Sequence, residues 1–375
     1  MRIGFLRLLD AAPLIVAGYL GYFKSAGVSV SLHRQTGWMN ARDQLISGFL
    51  DASQAPIGMP IMSQIGRSGF QTPLVAVMNL GSGGNVLVVC RALAAAGVDS
   101  VAGLAALVGS PAFARTFNRM LIGSYVSNYS AQYYLLRNCL AAAGMTENRH
   151  IRLTSLMPAQ VPEHLAHGYV DICCVSEPWG MRCVAGGWGT VIGATCDIMV
   201  NHPEKVLAVR EQFAAACPDD VSRALQAVLC GVEFCRQPKN LDLVVDVLSR
   251  SEHLGESPEI IRASLRAGVS DAFPVPQTAD SCNGSSTCTA AAKPARWSLG
   301  NCFPDVQAME WFLDEMVKWN DLTTSPVLPA VARRSVNGEF FRIAAARLGL
   351  SASISGMDIS TGMRPSPAAG LPAAV

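Results

Sequence analysis

Residues 1–21 read MRIGFLRLLDAAPLIVAGYLG, and the fold turns on whether this apolar opening is an export leader or the first strand and helix of a domain. A secretory leader needs a basic start, an unbroken apolar stretch of roughly 7 to 15 residues and a small-residue cleavage site. Arg2 supplies the start, but Arg7 and Asp10 break the apolar stretch. The run from Ala11 to Tyr22 also falls short of the roughly 20 apolar residues that a bilayer span requires. As structure, each part has a use. Ile3 to Leu8 reads as a buried strand, Asp10 as an N-cap that accepts from the free N–H groups of the first helical turn, and Ala11 to Lys24 as a helix that stops before Gly27. Pro13 lies early enough in that helix to be tolerated. A strand at the start of the chain leaves no room for a leader, and a cytoplasmic location is the expectation.

Working outward, 375 residues suffice for two ordinary domains or one bilobal one. With 50% hydrophobic and only 15% charged residues the chain can bury a large core. A net charge of +1 gives no electrostatic footprint for nucleic acid. No uncharged apolar run is long enough for a transmembrane helix. The 12 cysteines are scattered, many in apolar contexts such as ICCV and AVLCGVEFC, which suits small buried hydrophobes in a reducing compartment. None forms a CxxC pair, which argues against a zinc ribbon or a thioredoxin-like motif.

The first half of the chain alternates short β-rich runs with helical patterns. VSVSLH (28–33), PLVAVMNL (73–80), NVLVVC (85–90), MLIGSY (120–125) and VDICCVSEP (170–178) read as strands, with GSGG a turn between the second and third. ARDQLISGFLDA reads as a helix running into a strand start, and Ser130 to Ala143 as a helix. Such units predict an α/β fold with a mostly parallel sheet covered by helices on both faces. From about residue 203 the pattern turns helical, as in DVSRALQAVLCGVEFCR and NLDLVVDVLSR. Residues 278–296 are Ser/Ala-rich and read as a surface excursion, and the aperiodic sequence after Leu350 as a flexible tail.

In open parallel sheets ligands bind where strand ends meet helix N-termini, so the segments after strands carry the candidates. No GxSxG elbow is present, and the six histidines show no triad partner. His164 and His167 stand three apart, a spacing compatible with two metal ligands, but no third ligand is near and solvated positions on a polar helix face explain them more simply. Cys173 and Cys174 are adjacent in a strand, point to opposite faces and suit core packing. SEPWG (176–180) either closes over a ligand or caps the sheet. Ser127, Asn128 and Ser130 precede a helix whose N–H groups could bind a small anion, although ordinary N-capping is the plainer role. Trp38 and Lys205 also follow strand or loop positions, and alone neither is informative.

Taken in order, GFLRLLDAAPLIVAGYLGYFKSAGVSVSL, GWMNARDQLISGFLDASQAPIGMP, CCVSEPWG, HPEKVLAV and FPDVQAMEWFLDEMVKW resemble the nitrate- and bicarbonate-binding proteins of ABC-type uptake systems. The resemblance runs over about residues 2–350 apart from the Ser/Ala-rich excursion. It implies a two-lobed, periplasmic-binding-protein-like (type II) α/β fold with a ligand cleft between the lobes. Residues 1–88 and 196–350 would form the first lobe, 89–195 the second and 351–375 the tail. It also implies a pocket in which the family's tryptophan and lysine fall on Trp38 and Lys205, both kept. Asn85 stands where the family has a longer amide, Gln132 where it has a histidine, and Ser176 where it has a glycine. These five residues can still offer one cation and several N–H or O–H donors to a planar monoanion.

A chain without a leader resembles the cytoplasmic branch of this family. That branch senses nitrate or nitrite and controls an RNA-binding, ANTAR-type antiterminator of nitrate assimilation genes. The implied protein is not an enzyme, needs no cofactor or metal and does not itself touch nucleic acid. The alternative is the substrate-binding component of an ABC-type nitrate or bicarbonate transporter. A third reading, a relative of the bilobal thiamin-pyrimidine synthesis proteins, asks for a dense cysteine cluster, and only Cys173 and Cys174 are adjacent.

Overall fold

Two sheets organise the chain in the computed structural model, which describes residues 1–67, 69, 72–117, 119–268, 297–299, 302–350 and 364–365. The strands are β1 (Arg2–Phe5), β2 (Ser31–Arg34), β3 (Ala52–Pro56), β4 (Leu74–Gly83), β5 (Asn85–Cys90), β6 (Leu121–Tyr125), β7 (Ile151–Ser155) and β8 (Ile172–Ser176). They continue with β9 (Gly189–Ala194), β10 (Met199–Val200), β11 (Pro203–Arg210), β12 (Trp297–Ser298) and β13 (Arg364–Pro365). The first sheet has the order β12-β4-β11-β3-β1-β2, and the second β7-β6-β8-β5-β9. Both are mixed, where the sequence predicts a mostly parallel sheet. β1, β2 and β3 are parallel, but β11 runs antiparallel to β3 and β4. In the second sheet β6, β7 and β8 are parallel while β5 is antiparallel to both its neighbours. The reason is the way the chain passes between sheets: it leaves the first along β4 and enters the second along β5 through Gly83 and Gly84. Both glycines have positive φ (69° and 84°), a region that side chains with a Cβ rarely occupy. This crossing precedes the boundary drawn at residues 88/89, which falls inside β5.

The central strands β4 and β11 of the first sheet are buried on both faces along almost their whole length, whereas the edge strand β2 is largely open. Successive residues of β11 go to opposite sides: Val206 and Ala208 join one core, Leu207 and Val209 the other. On the second side lies the helix Ala12–Tyr19, whose Leu14, Ile15 and Val16 are buried against the long helix Pro218–Arg236. Burying side chains of this size stabilises by about 1.5–3 kcal/mol each.

The opening segment departs from its predicted form in three ways, the first being that its strand, expected over Ile3 to Leu8, ends at Phe5. Its helix is interrupted at Gly21 (φ 74°), giving Ala12–Tyr19 and a separate turn of helix at Tyr22–Ser25. Asp10 is no N-cap: it lies within a 3-10 turn, Leu9–Ala11, that turns its carboxylate inward to accept a hydrogen bond from Gln54 Nε2. The GSGG turn is also revised. β4 runs on through Gly83, because pairing with β11 and β12 satisfies its backbone there. The Ser/Ala-rich excursion at 278–296 lies outside the described residues. Of the tail, Arg364 and Pro365 pair antiparallel with β10, and the rest lies outside the described residues. No helix among the described residues is long and apolar enough to cross a membrane.

Candidate functional site

The five residues singled out from the sequence come together where the two sheets meet. Lys205 stands near the start of β11, Ser176 at the end of β8 and Asn85 at the start of β5; Trp38 opens the helix Trp38–Ile46, and Gln132 lies in the first turn of the helix Ala131–Ala142. Gln132 Nε2 donates to Asn85 Oδ1 (2.5 Å) and to Ser176 Oγ (2.6 Å), and Ser176 Oγ donates to Asn85 Oδ1 (2.7 Å). Lys205 Nζ, on the first sheet, donates to Ser176 Oγ on the second at 3.4 Å and lies 5.7 Å from the centre of the Trp38 ring. Asn85, Gln132 and Lys205 are 0% exposed.

Sequence reasoning missed the acidic half of this cluster. Glu204 Oε1 accepts from Lys205 Nζ, and Asp10 Oδ2 lies 3.8 Å from the same ammonium. Neighbours along a regular strand point to opposite faces, so Glu204 and Lys205 were not expected side by side. Here the pairing of β11 with β4 shifts register on both sides of Lys205, and the irregularity turns the two side chains toward each other. Burial raises the Asp10 carboxyl to about 6 although Lys205 pulls it down, and Glu204 adds to the rise. His202 is fully buried, and burial pushes its pKa below the ordinary value; its Nε2 pairs with Thr195 Oγ1 at 2.7 Å.

Four buried polar atoms of the cluster make no hydrogen bond: the donors Trp38 Nε1 and Asn85 Nδ2, and the acceptors Gln132 Oε1 and Glu204 Oε2. Unsatisfied buried groups are costly, so a site that leaves both kinds waiting is shaped for a small polar molecule that can accept and donate. A cleft of about 730 Å³ reaches Trp38 from solvent, with Tyr129, Tyr134, Met157 and Met316 in its walls.

The other candidates are used otherwise. Ser127 Oγ accepts from the Tyr129 N–H at 3.1 Å and so caps its own loop, although Ser127 and Asn128 do face the cleft. His164 and His167 each bond a backbone carbonyl one turn back and pack against Tyr169. No group of three His, Cys, Asp or Glu among the described residues is placed to hold a metal ion. Cys173 and Cys174 are fully buried in the core. SEPWG neither shuts over a ligand alone nor merely caps a sheet, because it ties the two sheets together. Leu9 N–H donates to the Glu177 carbonyl (3.0 Å), Trp179 Nε1 donates to the Arg7 carbonyl (3.0 Å), and the Ser264 hydroxyl donates to Glu177 Oε2 (3.2 Å).

A family model described as the NMT1-like family matches residues 1–249. The chain is 29% identical over 353 residues to the bicarbonate transport ATP-binding protein CmpC of Synechococcus elongatus, covering 94% of this chain and 50% of that protein. It thus spans about half the length of that relative. The nitrate/nitrite binding protein NrtA of the same organism is 25% identical over 367 residues, covering 96% of this chain and 80% of NrtA. Among solved structures, the periplasmic nitrate-binding protein NrtA from Synechocystis PCC 6803 superposes with a TM-score of 0.81 at 24% identity, over 94% of this chain and 89% of that one. The fold is therefore periplasmic-binding-protein-like.

Proposed function

The chain belongs to the NMT1-like family, and from that premise we propose that it is the ligand-binding component of an ABC-type import system for a small oxyanion of the nitrate and bicarbonate class. The observation that carries this reading is the sealed cluster around Lys205: a fully buried ammonium beside indole, amide and hydroxyl groups drawn from both sheets. The names of CmpC and NrtA support the class of anion. A monovalent oxyanion needs a cation and N–H donors away from water, and the unpartnered Trp38 and Asn85 groups are such donors. Bicarbonate meets this site better than nitrate. It carries an O–H that Gln132 Oε1 or Glu204 Oε2 can accept, whereas nitrate only accepts. The role is binding and release without a chemical step.

Calorimetric titration with bicarbonate, nitrite and nitrate tests the proposal. The expected result is saturable binding of one anion per chain, with bicarbonate the tightest. Folded protein that gives no heat with any of the three overturns it.

A second reading, a cytoplasmic nitrate/nitrite sensor that controls an ANTAR-type antiterminator, is favoured by one observation. Cys90, Cys139, Cys173, Cys174, Cys183, Cys235 and Cys302 are buried thiols, as a reducing compartment would keep them. It predicts that the ligand-free protein retains the antiterminator in a pull-down and that nitrate or nitrite releases it. Failure to retain the antiterminator in either state removes this reading.

A further inference from the structure

We propose that Asp10 and Glu204 form a proton-binding site coupled to the anion site, so that an anion enters beside Lys205 together with a proton from solvent that settles on the Asp10 carboxylate. The inference rests on the reading of the Lys205 cluster as an anion pocket. Its ground is the charge arrangement. One ammonium stands between two carboxylates, bonded to Glu204 Oε1 and 3.8 Å from Asp10 Oδ2; the Lys205 side chain is fully buried and the two carboxylates nearly so. With both carboxylates ionised the cluster already carries more negative than positive charge. Adding an anion without a further cation sets three negative groups around one ammonium in a dry site, where their repulsion is poorly screened. Either the anion is refused or a carboxylate is neutralised.

Asp10 is the group placed to take the proton. Its Oδ1 is occupied by Gln54 Nε2, while Oδ2 stands from the ammonium at ion-pair rather than hydrogen-bond range. Glu204 Oε1 is already occupied by the direct bond from Lys205 Nζ. The charged and titratable groups on the elements around Asp10 are Lys205 and Glu204 from β11, His202 from the turn before β11, and the Cys174 thiol from β8; Gln54 from β3 is neutral. Burial keeps the His202 ring neutral and pushes the Cys174 thiol up, so neither supplies a compensating charge. Burial already lifts the Asp10 carboxyl to about 6, and a like charge arriving beside Lys205 lifts it further. A group that gains affinity for protons when the anion binds makes anion affinity fall as pH rises, by linkage.

The test is calorimetry at pH 7 with nitrate and bicarbonate in buffers of different ionisation enthalpy, repeated with Asp10→Asn. The expected slope of observed heat against buffer enthalpy corresponds to about one proton taken up per anion, with nitrate affinity falling about tenfold between pH 7 and pH 8. In Asp10→Asn both dependences are expected to vanish. As a check that needs no variant, difference infrared spectra of the wild type should gain a protonated-carboxyl C=O band when nitrate is added. Binding with zero slope and no such band overturns the proton coupling while leaving the anion pocket standing. Absence of any anion binding by folded wild type overturns the pocket, and the coupling falls with it.

Discussion

In the proposed pocket Lys205 and Trp38 bear the ligand, and their removal separates binding from folding. Lys205→Ala deletes the ammonium and Trp38→Ala the free indole N–H; each is expected to weaken anion binding by about 30-fold or more, in line with a lost charge-assisted hydrogen bond. The circular dichroism spectrum should be unchanged, because Asp10, already raised to about 6, can neutralise when its partner leaves. Wild-type affinity in both variants would exclude these residues. Glu177 makes a different prediction. Burial raises its carboxyl to about 7, against opposing hydrogen bonds from the Met181 N–H and the Ser264 hydroxyl. The folded protein therefore holds this proton more tightly than the unfolded chain, and its contribution to stability is present below the ordinary carboxylate range and lost as pH rises toward 7. The loss is on the order of 3 kcal/mol, and Asp10 adds a slope of the same sign up to about 6. Glu177→Gln should be more stable than wild type at pH 8 in urea unfolding and show a flatter dependence from pH 5 to pH 8. At this scale the sequence was half legible. Trp38, Asn85, Gln132, Ser176 and Lys205 were singled out by resemblance, and the structure brings them into one cluster. Asp10 was read as a cap, and Glu204 was hidden by an irregular pairing that strand periodicity does not anticipate.

Elements were easier to read than their ends. Runs such as NVLVVC and ICCVS became buried strands because both faces of their sheets are covered, so no alternation was needed to identify them. The helix after Asp10 was recognised, but its break at Gly21 and the extension of β4 to Gly83 depend on pairings with distant segments, which local propensity does not contain. Packing between the helices Ala12–Tyr19 and Pro218–Arg236 depends on Gly231. A Cβ there would lie 2.3 Å from the Pro13 carbonyl oxygen and 3.3 Å from Ala17 Cβ. Alanine in a helix gains up to about 1 kcal/mol over glycine, but overpacking against a backbone atom costs about 1–3 kcal/mol. Gly231→Ala is therefore expected to lower the denaturant midpoint without changing the slope of the transition. A midpoint at or above that of wild type would show that the two helices separate freely.

For the whole molecule, alternating strands and helices followed by a helical second half pointed to an α/β protein, and the resemblance carried by the ordered motifs implied its two lobes. The strand order was not legible, since β11 inserts between β3 and β4 from a remote part of the chain. The two sheets are joined away from the pocket by Trp179 and Arg7, whose guanidinium lies 5.0 Å from the indole centre, and by Glu256, which pairs with Arg7 and Arg182. Trp179→Ala removes the bond to the Arg7 carbonyl and the ring contact, and is expected to raise the radius of gyration of the ligand-free protein in small-angle scattering and to weaken anion binding about tenfold, within the range of one such coupling. An unchanged scattering curve would mean that closure does not depend on this contact. The central place of β11 also sets an order of assembly during synthesis. Every strand of the second sheet lies between residues 85 and 194, so that sheet is complete in the nascent chain before β11 emerges. Until Pro203–Arg210 leaves the ribosome, β3 and β4 have no strand between them, and their facing edges stay open. The middle of the protein is thus finished first, and its beginning waits as an unsealed template during elongation, the interval in which a chaperone would be needed most.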